Sequence, residues 1–225
     1  GRGALTRHLD GVPRRLVLVE LDDTLADHWT AHFAGRPDVR VLHRDILTLP
    51  LAEVTEAPER LLVVGNIPYN ITTPSLFHLL ARPRPARIVL MVQREVGERI
   101  VASPGTSAYG ALAVGVQSVA DAKLLFGVSR RAFRPVPAVE SVVVEVVPHA
   151  PPRSSPEDER DLRVLTRALF QWRRKQLGKS LRDHPDLRVE RGRLERIATD
   201  LRVDLTRRPE TLAPDELLVL ARAIR

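Results

Sequence analysis

Cysteine is absent from all 225 residues, which excludes disulfide frameworks, thiolate zinc sites and cysteine nucleophiles together and suits a reducing cytoplasm. Long apolar runs are missing too. None approaches the roughly 18 to 20 residues that cross a bilayer, and the opening GRGALTRHLD has no apolar signal core, so a cytoplasmic protein with no membrane partner is expected. Lysine occurs three times (Lys123, Lys175, Lys179) against 32 arginines. That ratio follows genome base composition more than function. The balance of 35 basic over 28 acidic residues, +7, points instead to a polyanionic partner such as nucleic acid. Aromatics number only nine, so their positions are informative. The seven histidines show no metal-ligand spacing beyond His28 and His32, which lack a third ligand nearby, and no metal is expected.

What is present alternates. Short branched apolar runs recur at Leu16–Leu21, Val39–Leu42, Leu61–Val64 and Ile88–Val92, each bounded by charged or turn residues, as in strands covered on both faces. Helix-like stretches lie between them, at Thr24–Phe33 and Thr73–Leu80, the second with Thr73 placed as N-cap and Pro74 at the first helical position. This pattern predicts an α/β fold with a mostly parallel sheet and a ligand site at the carboxyl ends of its strands. After a helix over Leu112–Ala120, Lys123–Val128 and Ser141–Val147 read as two further strands that pair antiparallel at the sheet edge. Prolines then cluster without apolar periodicity over Pro148–Glu159. We expect a domain over 1–149, a linker over 150–159 and a small all-helical domain over 160–225.

The opening Gly1-Arg2-Gly3 resembles the second half of a glycine-rich βα turn, in which missing side chains let backbone approach a nucleotide, with Ala4–Leu9 as the following helix. Two glycines at a terminus are equally consistent with an ordinary loop or a cloning remnant. Their spacing to Glu20 is the stronger sign, since Glu20 closes the next strand where nucleotide-binding folds put an acid for ribose hydroxyls. Asp45 follows the next strand in the same topological place. The sharpest motif is Asn66-Ile67-Pro68-Tyr69, directly after the strand LLVVG. Adenine N6 is a poor nucleophile because its lone pair is delocalised into the ring. If the Asn66 side-chain oxygen and a backbone carbonyl such as that of Ile67 accept its two hydrogens, a pyramidal nitrogen with an outward lone pair is favoured. Tyr69 would stack on the base, worth about 1–3 kcal/mol, while Pro68 limits the mobility of the turn. Attack on a sulfonium methyl then needs no general base, thiol or metal. The competing reading is an Asn-capped turn with a buried Tyr.

The blocks GNIPYNITTPSLFHLL, VQREVGERI, PGTSAYG and FRPVPAVESVVVEVVPHA resemble, in order, the ribosomal RNA adenine N6,N6-dimethyltransferase family, specifically its bacterial small-subunit branch. The resemblance runs from Gly1 to the segment Phe170–Lys175. It implies a Rossmann-like domain that binds S-adenosylmethionine and a small helical domain that helps dock RNA. By that resemblance Gly1, Gly3, Glu20 and Asp45 fall on cofactor-binding positions, Asn66 is shared between cofactor and target base, and Tyr69 is the base-stacking aromatic. Phe133, in FRPVP, falls on a second aromatic position flanking the flipped adenine, although a rigid connection before the last strand accounts for it equally well. Tyr109, in PGTSAYG, reads as structural. The family pattern also carries a basic segment, a first strand and the first glycine of the turn ahead of Gly1. This leads to the expectation that a central strand and part of the cofactor pocket are absent here.

Between Leu162 and Arg182 lie Arg163, Arg167, Arg173, Arg174, Lys175, Lys179 and Arg182, with no acid. A helix face of this kind neutralises RNA phosphates, with affinity that falls steeply with salt, and Trp172 among them reads as core. Specificity would come from RNA shape and from unpaired adenosines offered for flipping. The expected partner is small-subunit rRNA in an immature 30S particle, bound by a monomer. Two alternatives stay open: the same chemistry on 23S rRNA, as in resistance methylases, and an RNA-binding assembly factor without catalysis.

Overall fold

Strands form at the branched apolar runs in a computed structural model that describes residues 3–225; the Gly1 assignment lies outside the described residues. The chain divides into two compact units, one ending at Met91 and one running from Val92 to Arg225. In the first, α1 (Thr6–Leu9) precedes β1 (Leu16–Glu20), α2 (Asp23–His32), β2 (Val39–His43) and α3 (Leu51–Val54). β3 (Leu62–Asn66), α4 (Thr72–Leu79) and the first five residues of β4 (Arg87–Gln93) follow. β1 pairs with β2 in parallel, Leu16 opposite Val39 and Glu20 opposite His43. β3 pairs with β4 in parallel, ending with Asn66 opposite Met91. Parallel pairs need crossover connections, and the alternation of branched and helix-forming segments provides them.

The second unit contains α5 (Arg94–Ile100), α6 (Ala111–Gln117), β5 (Ala120–Val128) and β6 (Ser141–Pro148). Beyond them come α7 (Pro156–Gln171), α8 (Leu177–Asp183), α9 (Arg191–Leu201) and α10 (Pro214–Ile224). β5 and β6 pair antiparallel, as expected, from Ala120 opposite Pro148 to Val128 opposite Ser141, with a bulge between Leu124 and Phe126. α5 lies close on this hairpin because Gly97 has no side chain: a Cβ there would collide with Val142 Cγ1. Behind it, Tyr109, Val114, Leu165, Leu169, Leu177, Leu181, Leu212 and Leu217 form one buried apolar cluster.

Several boundaries differ from expectation. α4 opens at Thr72 after a 3₁₀ turn over Tyr69–Ile71, so Ile71 is the N-cap and Thr73 and Pro74 are the second and third helical residues. Proline is accommodated there because the first four helical N–H groups lack intrahelical acceptors. The helix expected over Leu112–Ala120 ends at Gln117, and Ala120 opens β5. The segment expected to link domains over 150–159 enters α7 at Pro156. Ser155 caps that helix by accepting from the Asp158 amide at 3.1 Å, and Asp158 Oδ2 accepts from the Ser155 amide at 3.1 Å. The proline cluster concealed this capping box, in which Pro156 takes the first helical position that favours it. The basic stretch from Leu162 to Arg182 is two helices rather than one. α7 stops at Gln171, and the amides of Leu177 and Gly178 donate to Arg207 O and Leu205 O at 2.8 and 2.9 Å. Those partners are distant in sequence, so local periodicity carries no trace of the break.

Asp158 also receives Arg222 Nη2 at 2.7 Å and Arg225 Nη2 at 2.9 Å, tying the start of α7 to the end of α10. The Arg222 guanidinium first, then the Ser155 amide and Arg225, hold this carboxyl well below the usual carboxylate range despite its burial. A depressed folded-state pKa contributes stability that is complete above the unfolded value near 4 and is lost as pH falls toward the folded value. Asp158→Asn is therefore expected to lower stability at neutral pH by about 1–3 kcal/mol. Thermal melts between pH 5 and 2 check it: the wild type should lose stability on acidification more steeply than the variant.

Candidate active site and basic surface

Glu20 ends β1, and its Oε1 accepts from the amides of Leu21 at 2.9 Å and Asp22 at 3.2 Å, which orients the carboxyl group at the strand end. Beside it His43, the last residue of β2, places Nε2 3.0 Å from Leu21 O and 3.0 Å from Asp23 Oδ1. The Arg44 amide donates to Glu20 O at 3.0 Å. Asp45 comes next, half-buried, its Oδ1 accepting from the Leu47 amide at 2.9 Å in an Asx turn. Two carboxyl groups thus stand at the same end of two adjacent parallel strands, the end at which such sheets bind ligands. His43, which joins the two strand ends, was not singled out from sequence; its one local signal is its place beside Asp45.

Gly3 is buried with φ +84°, and a Cβ there would collide with the Trp29 indole of α2. A left-handed backbone and close packing on Trp29 both require glycine. The close approach that the sequence assigned to a nucleotide is made, at this glycine, to an aromatic ring.

β3 carries Asn66 as its last residue. Its side chain is exposed and makes no hydrogen bond among the described residues. Ile67 and Pro68 (φ −54°, ψ 138°) then lead into the 3₁₀ turn, where the Ile71 amide donates to Pro68 O at 3.1 Å and Tyr69 is half-buried. An amide side chain, a stiffened turn and an aromatic ring are therefore contiguous at a strand's carboxyl end. In the second unit, a 3₁₀ turn over Arg130–Ala132 follows β5 and leads to Phe133, extended and half-buried, whose amide donates to Arg130 O at 3.2 Å. Tyr109 is structural: fully buried, it donates its hydroxyl to Leu212 O at 2.8 Å and meets Phe170 edge-on at 6.0 Å. Burial pushes its phenol well above the ordinary value.

Of the seven basic residues between Leu162 and Arg182, Arg163, Arg167, Arg174, Lys175 and Lys179 are exposed and without an ion pair among the described residues. Arg173 is half-buried, paired through Nε with Glu210, and donates from Nη2 to Thr106 O at 3.2 Å. Arg182 pairs with Asp183 at 2.7 and 3.0 Å. Both partners lie outside the acid-free stretch, which is why the stretch alone did not reveal them. Among the described residues no group of three or more His, Asp or Glu side chains is placed to hold a metal ion, and no helix is long and apolar enough to cross a membrane.

Residues 1–218 match the family described as ribosomal RNA adenine dimethylase. The chain belongs to this family. Similar adenine dimethylase relatives include "Ribosomal RNA small subunit methyltransferase A" of Geobacter metallireducens, 40% identical over 227 residues that span all of this chain and 82% of that protein. The protein of the same name from Bacillus cytotoxicus is 35% identical over 230 residues, spanning all of this chain and 79% of its own. Among solved structures, a dimethyladenosine transferase from Plasmodium falciparum shares the fold with a TM-score of 0.77 at 24% identity, covering 98% of this chain and 85% of that one. The 23S rRNA methyltransferase ErmE has a TM-score of 0.71 at 25% identity, covering 100% and 87%. The α/β, Rossmann-like class read from the sequence is the fold of this dimethylase-family chain.

Proposed function

We infer that this adenine dimethylase transfers methyl groups from S-adenosylmethionine to N6 of two adjacent adenosines near the 3′ end of small-subunit rRNA, acting on the immature small subunit as a cytoplasmic monomer. The observation that carries the reading is Asn66, exposed at the end of β3 with its side-chain amide unengaged and the Pro68–Tyr69 turn behind it. Support for the small-subunit target comes from relatives of that name at 35 to 40% identity. The likeness to ErmE, at 25% identity, favours a 23S target less strongly.

The chemistry of the strand-end residues fits the cofactor. Glu20 and Asp45 present carboxyl oxygens, already oriented by backbone amides, to the hydroxyl and amine donors of an adenosyl group. Gly3 keeps the turn ahead of α1 free of side-chain bulk. When bound, S-adenosylmethionine supplies an electrophilic sulfonium methyl. For the first transfer Asn66 Oδ1 would accept one N6 hydrogen of the target and a turn carbonyl, such as that of Ile67, the other, leaving the nitrogen lone pair directed outward; N6 gives up one proton to solvent with each methyl gained, so one hydrogen remains to be held for the second transfer. Tyr69 stacks on the base, while Pro68 restrains the turn so that Asn66 needs little reordering; Phe133, in the second unit, is a further aromatic contact for the RNA. Arg163, Arg167, Arg174, Lys175 and Lys179 hold phosphates, with Arg173 and Arg182 behind them.

Incubation with immature small subunits and methyl-labelled S-adenosylmethionine is expected to give labelled dimethyladenosine in small-subunit rRNA. Absence of label from a folded, RNA-binding protein would exclude the enzyme reading in favour of an assembly factor, and label in 23S rRNA instead would reassign the target. The docking face has its own test. Arg163→Gln with Arg167→Gln is expected to lower the slope of log affinity against log salt by about 1.5, measured by filter binding; an unchanged slope would place the phosphate contacts elsewhere.

A further inference from the structure

The β5–β6 hairpin carries a feature that neither the adenine pocket nor the α7–α8 face uses. Leu124, Val142 and Val144 surround the position where a Gly97 Cβ would stand, so this face of the hairpin packs on α5. The bulge between Leu124 and Phe126 then changes the alternation, and Phe126 stands opposite Val143, on the other face. The ring is 60% exposed, and Leu125 in the bulge is 41% exposed. Of the nine aromatic side chains, Phe126 and Phe77, at 38%, are the exposed ones.

The chain that follows β5 is basic up to Glu140, whose Oε2 accepts from the Arg130 amide at 2.9 Å. From Lys123 to Val139 the sequence has four basic residues and no acid. Lys123 is paired with Glu145 at 2.8 Å, which leaves the three arginines after β5. Arg130 and Arg134 make single long bonds from Nη1, to Ala138 O at 3.5 Å and Phe133 O at 3.3 Å. The Arg131 side chain has no partner among the described residues. These guanidinium groups keep most of their donors for a ligand rich in acceptors. An exposed ring followed in the chain by arginines with spare donors is a combination that takes single-stranded nucleic acid, the base on the ring and the phosphates on the cations.

We propose that Phe126 is a stacking platform for an unpaired nucleotide of the RNA substrate, with Arg131 and Arg134 on its phosphates. This rests on the proposed rRNA reading. The platform would hold an unpaired nucleotide of the substrate strand and so help to keep that strand single-stranded.

The probe is a fluorescein-labelled single-stranded oligoribonucleotide with the sequence of the small-subunit 3′ region, followed by anisotropy with the full chain. Phe126→Ala is expected to weaken binding about 5- to 30-fold, and Phe126→Trp to retain it. The indole emission that Phe126→Trp adds, taken as the difference from wild type with unlabelled RNA, should be quenched on saturation. Arg131→Gln with Arg134→Gln should lower the salt slope by about 1.4. Wild-type affinity in a folded Phe126→Ala protein, or emission from Phe126→Trp that RNA leaves unchanged, overturns the proposal. So does concentration-dependent self-association in sedimentation that Phe126→Ala abolishes without touching RNA affinity, since the face would then meet a second copy of the chain. A wild type that methylates rRNA while Phe126→Ala binds normally defeats this inference alone; a wild type that fails to methylate defeats the reading beneath it.

Discussion

Replacing Asn66 by alanine is expected to lower the rate of methyl transfer at least about 100-fold while leaving affinity for rRNA nearly unchanged. In the proposed mechanism the amide touches the reacting nitrogen, not the phosphates; its oxygen would fix one N6 hydrogen, and without that acceptor the lone pair would relax into conjugation with the ring. Because the Asn66 side chain is exposed and makes no bond to the rest of the described structure, its removal should leave the fold intact, and the loss of rate can be assigned to chemistry. Single-turnover transfer of labelled methyl groups, at saturating small subunit, measures the effect. A variant that keeps most of the wild-type rate would remove Asn66 from the reaction and with it the main support for the mechanism.

Tyr109→Ala should be the most damaging single change to stability, at about 3–5 kcal/mol, or roughly 10 °C or more in melting temperature. The side chain is fully buried among α6, α7 and the 209–212 segment, and its hydroxyl satisfies Leu212 O. Truncation leaves a cavity and an unbonded carbonyl together. Tyr109→Phe isolates the second effect and should cost about 1–2 kcal/mol. Melting followed by circular dichroism distinguishes them; equal losses for the two variants would mean that the hydroxyl matters more than the packing.

The parallel strands were legible because their residues are local in effect: LVLVE and LLVVGN declare strands, and the acids and Asn66 mark their carboxyl ends, but the expected cover on both faces is not found, since β1 has no buried residue and Leu62 and Val64 of β3 are exposed. The antiparallel hairpin was legible for the same reason, in SVVVEVV. What escaped reading depends on residues far apart in the chain. The arrest of α7 at Gln171 is answered by carbonyls of residues 205 and 207, and the true role of Arg173 by Glu210. His43 is a simple exposed histidine until pairing sets it beside Leu21 and Asp23. The start of α7 was a local signal that was overlooked, since Ser155 and Asp158 have capping-box spacing and only the prolines around them suggested a linker. For the proposed adenine site, the motif supplied the residues and their order. Its geometry adds that Asn66 is unengaged and that Gly3 answers to Trp29.

The loop after α5 is fastened to the 209–212 segment at several points. The Gly105 amide donates to Glu210 O at 2.7 Å, Arg173 bridges Glu210 and Thr106 O, and Tyr109 reaches Leu212 O. These bonds join the loop between α5 and α6 to the segment before α10 and, through Arg173, to the chain just after α7, within one compact unit. The loop and the segments it is tied to therefore open together or stay closed together, as one cooperative element of the unit.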